Sequence, residues 1–341
     1  MRSGMPEEHD KSDSYAKIGV VGAGAWGSAL ALTAALAGRS VSLWARESDV
    51  VDSIRNTGVN ERFLPGVKLP DRVQPTHDLA DAVRSDVVLL VAPAQHLRST
   101  LETLAPLLAP ATPLVLCAKG IERGTGLLLT EIAAELAPQA QPAILSGPSF
   151  ARDVAHGLPT AVTVAARIDI AMRLQATLGH AQFRPYASDD LVGVALGGAA
   201  KNVYAIGCGV ADGLGLGESA RAALLARSFA ELIRLGEAMG GRAETFMGLS
   251  GLGDLVLTAT SVSSRNFAFG QKLGRGANLS DLSAPGAPLA EGVETAPALV
   301  ARARRHGVEM PIAEAVAAVL GGALPATKAL EKLMARPLKP E

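Results

Sequence analysis

Lys201 is the only charged residue in the twenty positions from Leu191 to Val210, LVGVALGGAAKNVYAIGCGV. An ammonium in so apolar a run must be paired, carried to the surface or used in chemistry, because an isolated buried charge is too costly to keep. Gly197 and Gly198 lie four and three residues before it, on the same face of a helix, and leave bare backbone beside the lysine where another molecule could approach closely. Asn202 adds an amide next to it. The plainer reading of the same residues is a surface helix whose lysine reaches out to water. Lys119 closes an apolar run and stands before Gly120. Asp254 follows the glycines at Gly248, Gly251 and Gly253, which would weaken a helix badly and more plausibly shape a turn that presents the carboxylate. Ser264-Arg265-Asn266, at a predicted helix start, gathers a hydroxyl, a guanidinium fork, an amide and free backbone N–H groups. Together these suit a phosphate, although Ser264 as a simple helix cap explains that residue equally well.

These groups need elements to hold them. Gly22, Gly24 and Gly27 form G-A-G-A-W-G after the run AKIGVVG (16–22) and at the head of a helix from Ala25 to Ala37. Such glycines allow a tight turn and close approach of backbone N–H groups to a dinucleotide pyrophosphate. Further apolar runs follow at SVSLWA (40–45), DVVLLVA (86–92), PLVLCA (113–118) and PAILS (142–146), with helical stretches between most of them. Continuous apolar strands alternating with helices predict a parallel sheet covered on both faces. The runs at 160–166 and 182–187 extend it at one edge. Strands of such a sheet end in loops that face one crevice, here Ala92-Pro93-Ala94, Lys119-Gly120 and Ser146 to Ala151. From Ser188 onward the pattern is helical, at 218–240, 290–307 and 311–322, and Asn278 to Pro288 reads as a loop. The predicted fold is α/β: an N-terminal Rossmann-type parallel-sheet domain (15–188) and a C-terminal all-helical domain (189–335), behind a disordered tail (1–14).

Composition excludes several classes. With 48% hydrophobic and 19% charged residues, the chain can build large cores and is neither disordered nor fibrous. A formal net charge of −1 and few aromatics argue against nucleic acid, so an anionic ligand must be held by local cations. Cys117 and Cys208 read as reduced core residues of a cytoplasmic chain, and the six histidines share no metal-ligand spacing. The N-terminus lacks the apolar segment of a secretory signal. The run at Leu191 is long enough to raise a membrane span, but Lys201 at its centre, five glycines and flanking Asp189, Asp190 and Asp212 argue against one.

The chain resembles one family closely, the bacterial NAD(P)-dependent glycerol-3-phosphate dehydrogenases. The likeness runs from about Lys17 to His306 through GAGAWG, FLPGVKLP (63–70), AKGIE (118–122), LSGPSFARDVAHGLPTA (145–161), the run 197–217, GLSGLGDLVLTAT (248–260), SRN (264–266) and EGVET (291–295). The resemblance implies interconversion of dihydroxyacetone phosphate and sn-glycerol 3-phosphate, the backbone of phospholipids. It implies Lys201 as general acid and base, with Lys119 and Asp254 in the catalytic set. By matching position, Lys119, Gly147, Ser149, Lys201, Asn202, Asp254, Ser264, Arg265 and Asn266 are implied substrate contacts. The cofactor falls against the glycine motif (Gly22, Gly24, Ala25, Trp26 and Gly27) and against Arg46, Lys119, Ala151, Arg265, Leu289 and Glu291. Ala25 replaces a common serine and Leu289 a common valine, and neither change disturbs the assignment.

Elementary chemistry agrees with the resemblance. Hydride arriving at a ketone leaves negative charge on its oxygen, which a positioned ammonium stabilises and then protonates. Cofactor choice turns on Leu43-Trp44-Ala45-Arg46-Glu47, where a cation follows Ala45 at the place an NAD-specific enzyme puts a carboxylate. Use of both NADPH and NADH, with NADPH preferred, is the expectation. Two rivals stand beside this reading: a related dehydrogenase of β-hydroxy acids, and a nicotinamide sensor without turnover. Oligomeric state is open, a homodimer being one option.

Overall fold

The computed structural model describes residues 14–282, 284 and 286–337. Ten strands occur among them: β1 (Lys17–Val21), β2 (Ser40–Trp44), β3 (Val59–Asn60), β4 (Leu64–Lys68), β5 (Val73–Thr76), β6 (Val87–Leu90), β7 (Pro113–Leu116), β8 (Gln141–Ser146), β9 (Thr160–Ala165) and β10 (Phe183–Ser188). Eight form one sheet in the order β10-β9-β8-β7-β6-β1-β2-β5. Every pairing in it is parallel except β8 with β9. β6 and β7 are buried along their whole length, as apolar runs covered by helices on both faces should be. After β1 and β2 the chain crosses back so that β6 flanks β1 on its other side, which opens a crevice beyond the carboxyl ends of β1 and β6.

Beyond β10 the described chain is helical. Its axis is the 23-residue helix Leu191–Gly213, buried almost all round. Asp190 caps it, accepting from Gly193 N–H at 2.7 Å and from Arg242 N–H at 2.8 Å. Among the described residues this is the one helix long and apolar enough to cross a membrane by length and composition, but 89% of its apolar window lies inside the protein, where it serves as the core of the helical layer. The helix Arg265–Gly274 runs against it through glycine: a Cβ on Gly209 would stand 2.1 Å from the Phe267 carbonyl oxygen, and one on Gly270 would stand 2.1 Å from that of Ile206. Bare backbone on both helices lets them touch along their length.

Three readings of the sequence need correction. β5 and the antiparallel pair β3–β4 were not anticipated, because β5 carries Gln74 and Pro75 and β3 is only two residues long. The segment Asn278 to Pro288 is not all loop, since Leu279–Leu282 forms one helical turn. Gly197 and Gly198 do not open space for a ligand. Their Cβ positions fall 2.7 Å from the Ser250 carbonyl oxygen and 2.5 Å from the Ser146 hydroxyl oxygen, so the protein's own chain makes the close approach. The expected tail, residues 1–14, lies outside the described residues except for Ser14.

Candidate active site

Asp254 is fully buried at the head of the helix Asp254–Thr260, directly after a π-helical turn at Leu249–Gly253. Packing requires glycine at position 251, since a Cβ there would stand 2.0 Å from the Phe246 carbonyl oxygen. The turn delivers the carboxylate between two ammonium groups. Lys201 Nζ donates to Asp254 Oδ1 at 2.5 Å, and Lys119 Nζ donates to Asp254 Oδ2 at 2.5 Å. Lys201 also donates to Thr258 Oγ1 at 2.9 Å, and Lys119 to the Gly147 carbonyl at 2.9 Å. Ser149 Oγ donates to that same carbonyl at 3.1 Å. Gly147, at φ +149°, sits where a Cβ would meet Val162 Cα at 2.8 Å, so only glycine fits that turn. Thus the plain reading of Lys201 as a solvated surface lysine fails: its side chain is 9% exposed and paired.

Burial pushes the Lys201 ammonium down to about 8; the Asp254 charge pulls it up, and Lys119 pushes it down again. Two cations on one carboxylate leave a net positive charge in a site that bulk water barely reaches, which suits an oxygen that gains negative charge during reaction.

A second chain of bonds links the layers. Asn202 Nδ2 donates to the Lys119 carbonyl at 3.2 Å, Asn266 Nδ2 to Asn202 Oδ1 at 2.9 Å, and Gly292 N–H to Asn266 Oδ1 at 3.0 Å. Gly292 lies in the first turn of the helix Glu291–Arg305. Glu291 accepts from Ala94 N–H at 3.1 Å, in the loop after β6. Burial raises the Glu291 carboxyl above its usual range, while the Ala94 N–H and the Arg265 charge pull the other way. Arg265 itself is exposed, and among the described residues its guanidinium makes no hydrogen bond. Ser264 caps its helix, accepting from Phe267 N–H at 3.2 Å.

The glycine loop stands on the other wall of the crevice. Gly22 has φ +114° and its N–H donates to the Trp44 carbonyl at 3.1 Å, while Gly24 has open space where a Cβ would be. A Cβ on Gly27 would strike the Gly22 carbonyl oxygen at 1.8 Å, so the loop can turn this tightly only with glycine there. Ala25 and Trp26 begin the helix Ala25–Leu36, and Ala151 begins the short helix packed against it. Arg46 is 82% exposed and pairs with Glu47 at 3.0 Å. Leu289 is 47% exposed and stands two residues before Glu291.

Lys119, Gly147, Ser149, Lys201, Asn202, Asp254 and Asn266 are therefore one bonded network. Ser264, Arg265 and Glu291 adjoin it, whereas Arg46, Ala151 and Leu289 are not bonded to it. The sequence reading gave no role to Thr258, although its place four residues after Asp254 puts both on one helix face. Backbone partners such as Ala94 N–H carry no side-chain signature and could not have been found that way. Among the described residues no group of three or more His, Cys, Asp or Glu is arranged to hold a metal.

Comparison with known proteins places the chain in context. Residues 17–171 match the family model for the NAD-dependent glycerol-3-phosphate dehydrogenase N-terminus, and residues 190–331 match that for its C-terminus. A protein of Parvibaculum lavamentivorans named glycerol-3-phosphate dehydrogenase [NAD(P)+] is 55% identical over 329 residues, covering 96% of this chain and 99% of its own. A crystal structure of a glycerol-3-phosphate dehydrogenase from Coxiella burnetii superposes with a TM-score of 0.89 at 38% identity, over 95% of this chain and 100% of that one. A ketopantoate reductase of Ralstonia eutropha, at 17% identity and a TM-score of 0.58 over 92% of this chain and 99% of its own, shares the fold alone.

Proposed function

The chain belongs to the NAD-dependent glycerol-3-phosphate dehydrogenase family, and from that premise we infer how its residues divide the work. It is an oxidoreductase that uses NADH or NADPH to reduce dihydroxyacetone phosphate reversibly to sn-glycerol 3-phosphate, the glycerol backbone of phospholipids. The residues present fit the dinucleotide. Gly22 takes a left-handed φ, Gly24 leaves its backbone open to the crevice, and Gly27 permits the helix start to close on the loop. When bound, the nicotinamide supplies the hydride in reduction and accepts it in oxidation.

Everything else falls to this chain. Lys201 holds a proton on Nζ, stabilises the negative charge that forms on the carbonyl oxygen, and hands that proton over; in oxidation the neutral amine takes it back. Asp254 orients Lys201 and Lys119 together. Lys119 and Ser149, joined at the Gly147 carbonyl, line the substrate side, and Asn202 and Asn266 fix the distance between Lys119 and the helical layer. Arg265, exposed and without a bond partner among the described residues, takes the substrate phosphate, with Ser264 and Asn266 beside it. We take residues 15–188 as the cofactor half and 189–335 as the substrate half, and the enzyme as a cytoplasmic homodimer that prefers NADPH.

The observation that carries this reading is the buried Asp254 carboxylate, bonded at 2.5 Å to Lys119 in the loop after β7 and at 2.5 Å to Lys201 on the central helix. The test is a spectrophotometric assay of dihydroxyacetone phosphate reduction with NADH and NADPH in parallel, beside a panel of β-hydroxy and β-keto acids. Turnover of the acids alone would replace the substrate assignment. Nicotinamide binding with no turnover of either would make the protein a sensor.

A further inference from the structure

Asn60 is fully buried, although it belongs to the two-residue strand β3 and lies far in sequence from the glycine loop. Its Nδ2 donates to the Ala23 carbonyl at 2.8 Å and to Ser28 Oγ at 2.8 Å. Its Oδ1 accepts from Phe63 N–H at 3.1 Å, which fixes the amide's orientation and commits Nδ2 to the loop. The Ser28 hydroxyl, also fully buried, donates to the same Ala23 carbonyl at 3.4 Å. The carbonyl of a loop residue is thereby held from inside the protein by side chains from two separate elements.

The consequence lies on the other side of that peptide. In a trans peptide unit the C=O and N–H point in opposite directions, and no cis bond occurs among the described residues. Holding the Ala23 oxygen inward therefore aims the Gly24 N–H away from the clamp, and the loop is open beside it, since a Cβ on Gly24 would meet nothing within 4 Å. Among the described hydrogen bonds none uses that N–H. Without a clamp the Ala23–Gly24 peptide would turn over at little cost, because glycine occupies both signs of φ about equally. A turned peptide would set a carbonyl oxygen against the crevice in place of a donor.

We propose that Asn60 is a positioning residue for the dinucleotide: it locks the Ala23–Gly24 peptide so that the glycine loop presents an N–H, not a carbonyl, to the pyrophosphate. The inference rests on reading that loop as the cofactor seat. It gives the pair β3–β4 a task, since this hairpin carries Asn60 beneath the loop and is tied to no other strand. Asn60 touches no substrate, and it acts through the peptide it holds.

The test measures dissociation constants of NADH and NADPH for the free protein by fluorescence titration, with KM for dihydroxyacetone phosphate at saturating cofactor and the folded fraction measured alongside. Asn60→Leu keeps the branched shape and removes the clamp; Asn60→Ser, smaller and polar, carries the same reading where the leucine variant does not fold. Either should weaken both nucleotides by about tenfold or more, since each loses the hydrogen bond that fixes the peptide, while KM for the ketone shifts by less than about threefold. Ser28→Ala, which leaves the bond from Asn60 to Ala23 in place, should stay within about threefold of the parent in both. A folded Asn60 variant with parental nucleotide affinity would overturn the proposal, as would a loss of folded fraction with unchanged affinity in the remainder. A parent protein that binds neither nucleotide would instead bring down the reading of the loop as a cofactor seat.

Discussion

Lys201 holds its proton against burial and against the charge of Lys119, helped only by Asp254, and so sits at about 8 and not in the usual lysine range. Reduction needs the protonated form and oxidation the neutral one. kcat/KM for ketone reduction should therefore fall as pH rises through about 8, and kcat/KM for alcohol oxidation should rise over the same interval. Parallel pH profiles in the two directions check this; limbs of the same sign would contradict it. Lys201→Ala should lower kcat by about 10²–10⁴ with the fold intact, the usual contribution of a positioned proton donor. Activity within a few fold of the parent, in a folded variant, would remove Lys201 from the chemistry. Arg46 raises a different question. Its guanidinium is 82% exposed and bonded to Glu47 at 3.0 Å, so it must leave that neighbour to meet a 2′-phosphate. An exposed pair of this kind costs little to break, which keeps the cation free for NADPH and lets NADH bind without it. The ratio of kcat/KM for NADPH over NADH should exceed unity in the parent and drop several-fold in Arg46→Ala; a ratio unmoved by the substitution would assign the choice elsewhere.

Elements transmit these requirements through backbone contact. The central helix meets the helix Arg265–Gly274 along Gly209 and Gly213 on one side and Gly270 and Gly274 on the other. A Cβ added at Gly270 would lie 2.1 Å from the Ile206 carbonyl oxygen, so Gly270→Ala must push the two helices apart. The expected cost is about 1–3 kcal/mol, the range for overpacking, and it should come with weaker phosphate recognition because Arg265 and Asn266 ride on the displaced helix. Urea unfolding and KM for the ketone, measured on one preparation, check both halves; parental values of each would show that the packing tolerates the methyl. The same geometry marks the limit of sequence reading. Strands such as VVLL and PLVL were legible because burial on both faces leaves a continuous apolar run. Lys201, Lys119 and Asp254 were legible because charge amid glycine and apolar residues demands a reason. What Gly197 and Gly198 do was misread, since a glycine without its partner says only that something comes close. Asn60 was passed over because its partners are a carbonyl and a hydroxyl more than thirty residues away.

Across the whole molecule, the two layers are bolted together at one edge and tuned at the other. Arg302, from the helix Glu291–Arg305, donates to the Gly126 carbonyl at 2.8 Å and forks onto Glu131 at 2.6 and 2.8 Å, and Arg305 reaches the Thr125 carbonyl at 2.9 Å. These bonds hold the segment after Lys119 against the helical half. Within that half, Glu231 is 2% exposed and closes the junction of three helices. It accepts from Ile312 N–H at 2.8 Å and Ala313 N–H at 3.2 Å at the head of the helix Pro311–Leu320, and from the buried Tyr204 hydroxyl of the central helix at 3.4 Å. Burial pushes its carboxyl up to about 7 despite those donors and the nearby charge of Arg234. A carboxyl near 4.5 in the unfolded chain and near 7 in the folded one binds more protons when folded throughout that window. Stability contributed by this group is thus fully present below about 4.5 and is lost as pH rises through about 7, by roughly 2–4 kcal/mol in all. His180, held below its usual range by burial, works in the opposite direction near neutrality, so the parent curve alone does not isolate Glu231. The difference between parent and Glu231→Gln does. Glutamine keeps an acceptor for Ile312 N–H but takes up no proton, so the stability difference between the two proteins should drift in favour of the variant from pH 5 to pH 8. Urea midpoints taken at half-unit steps of pH decide it: a constant difference would mean that Glu231 stays ionised in the fold, and that its bonds to Ile312 and Ala313 outweigh its burial.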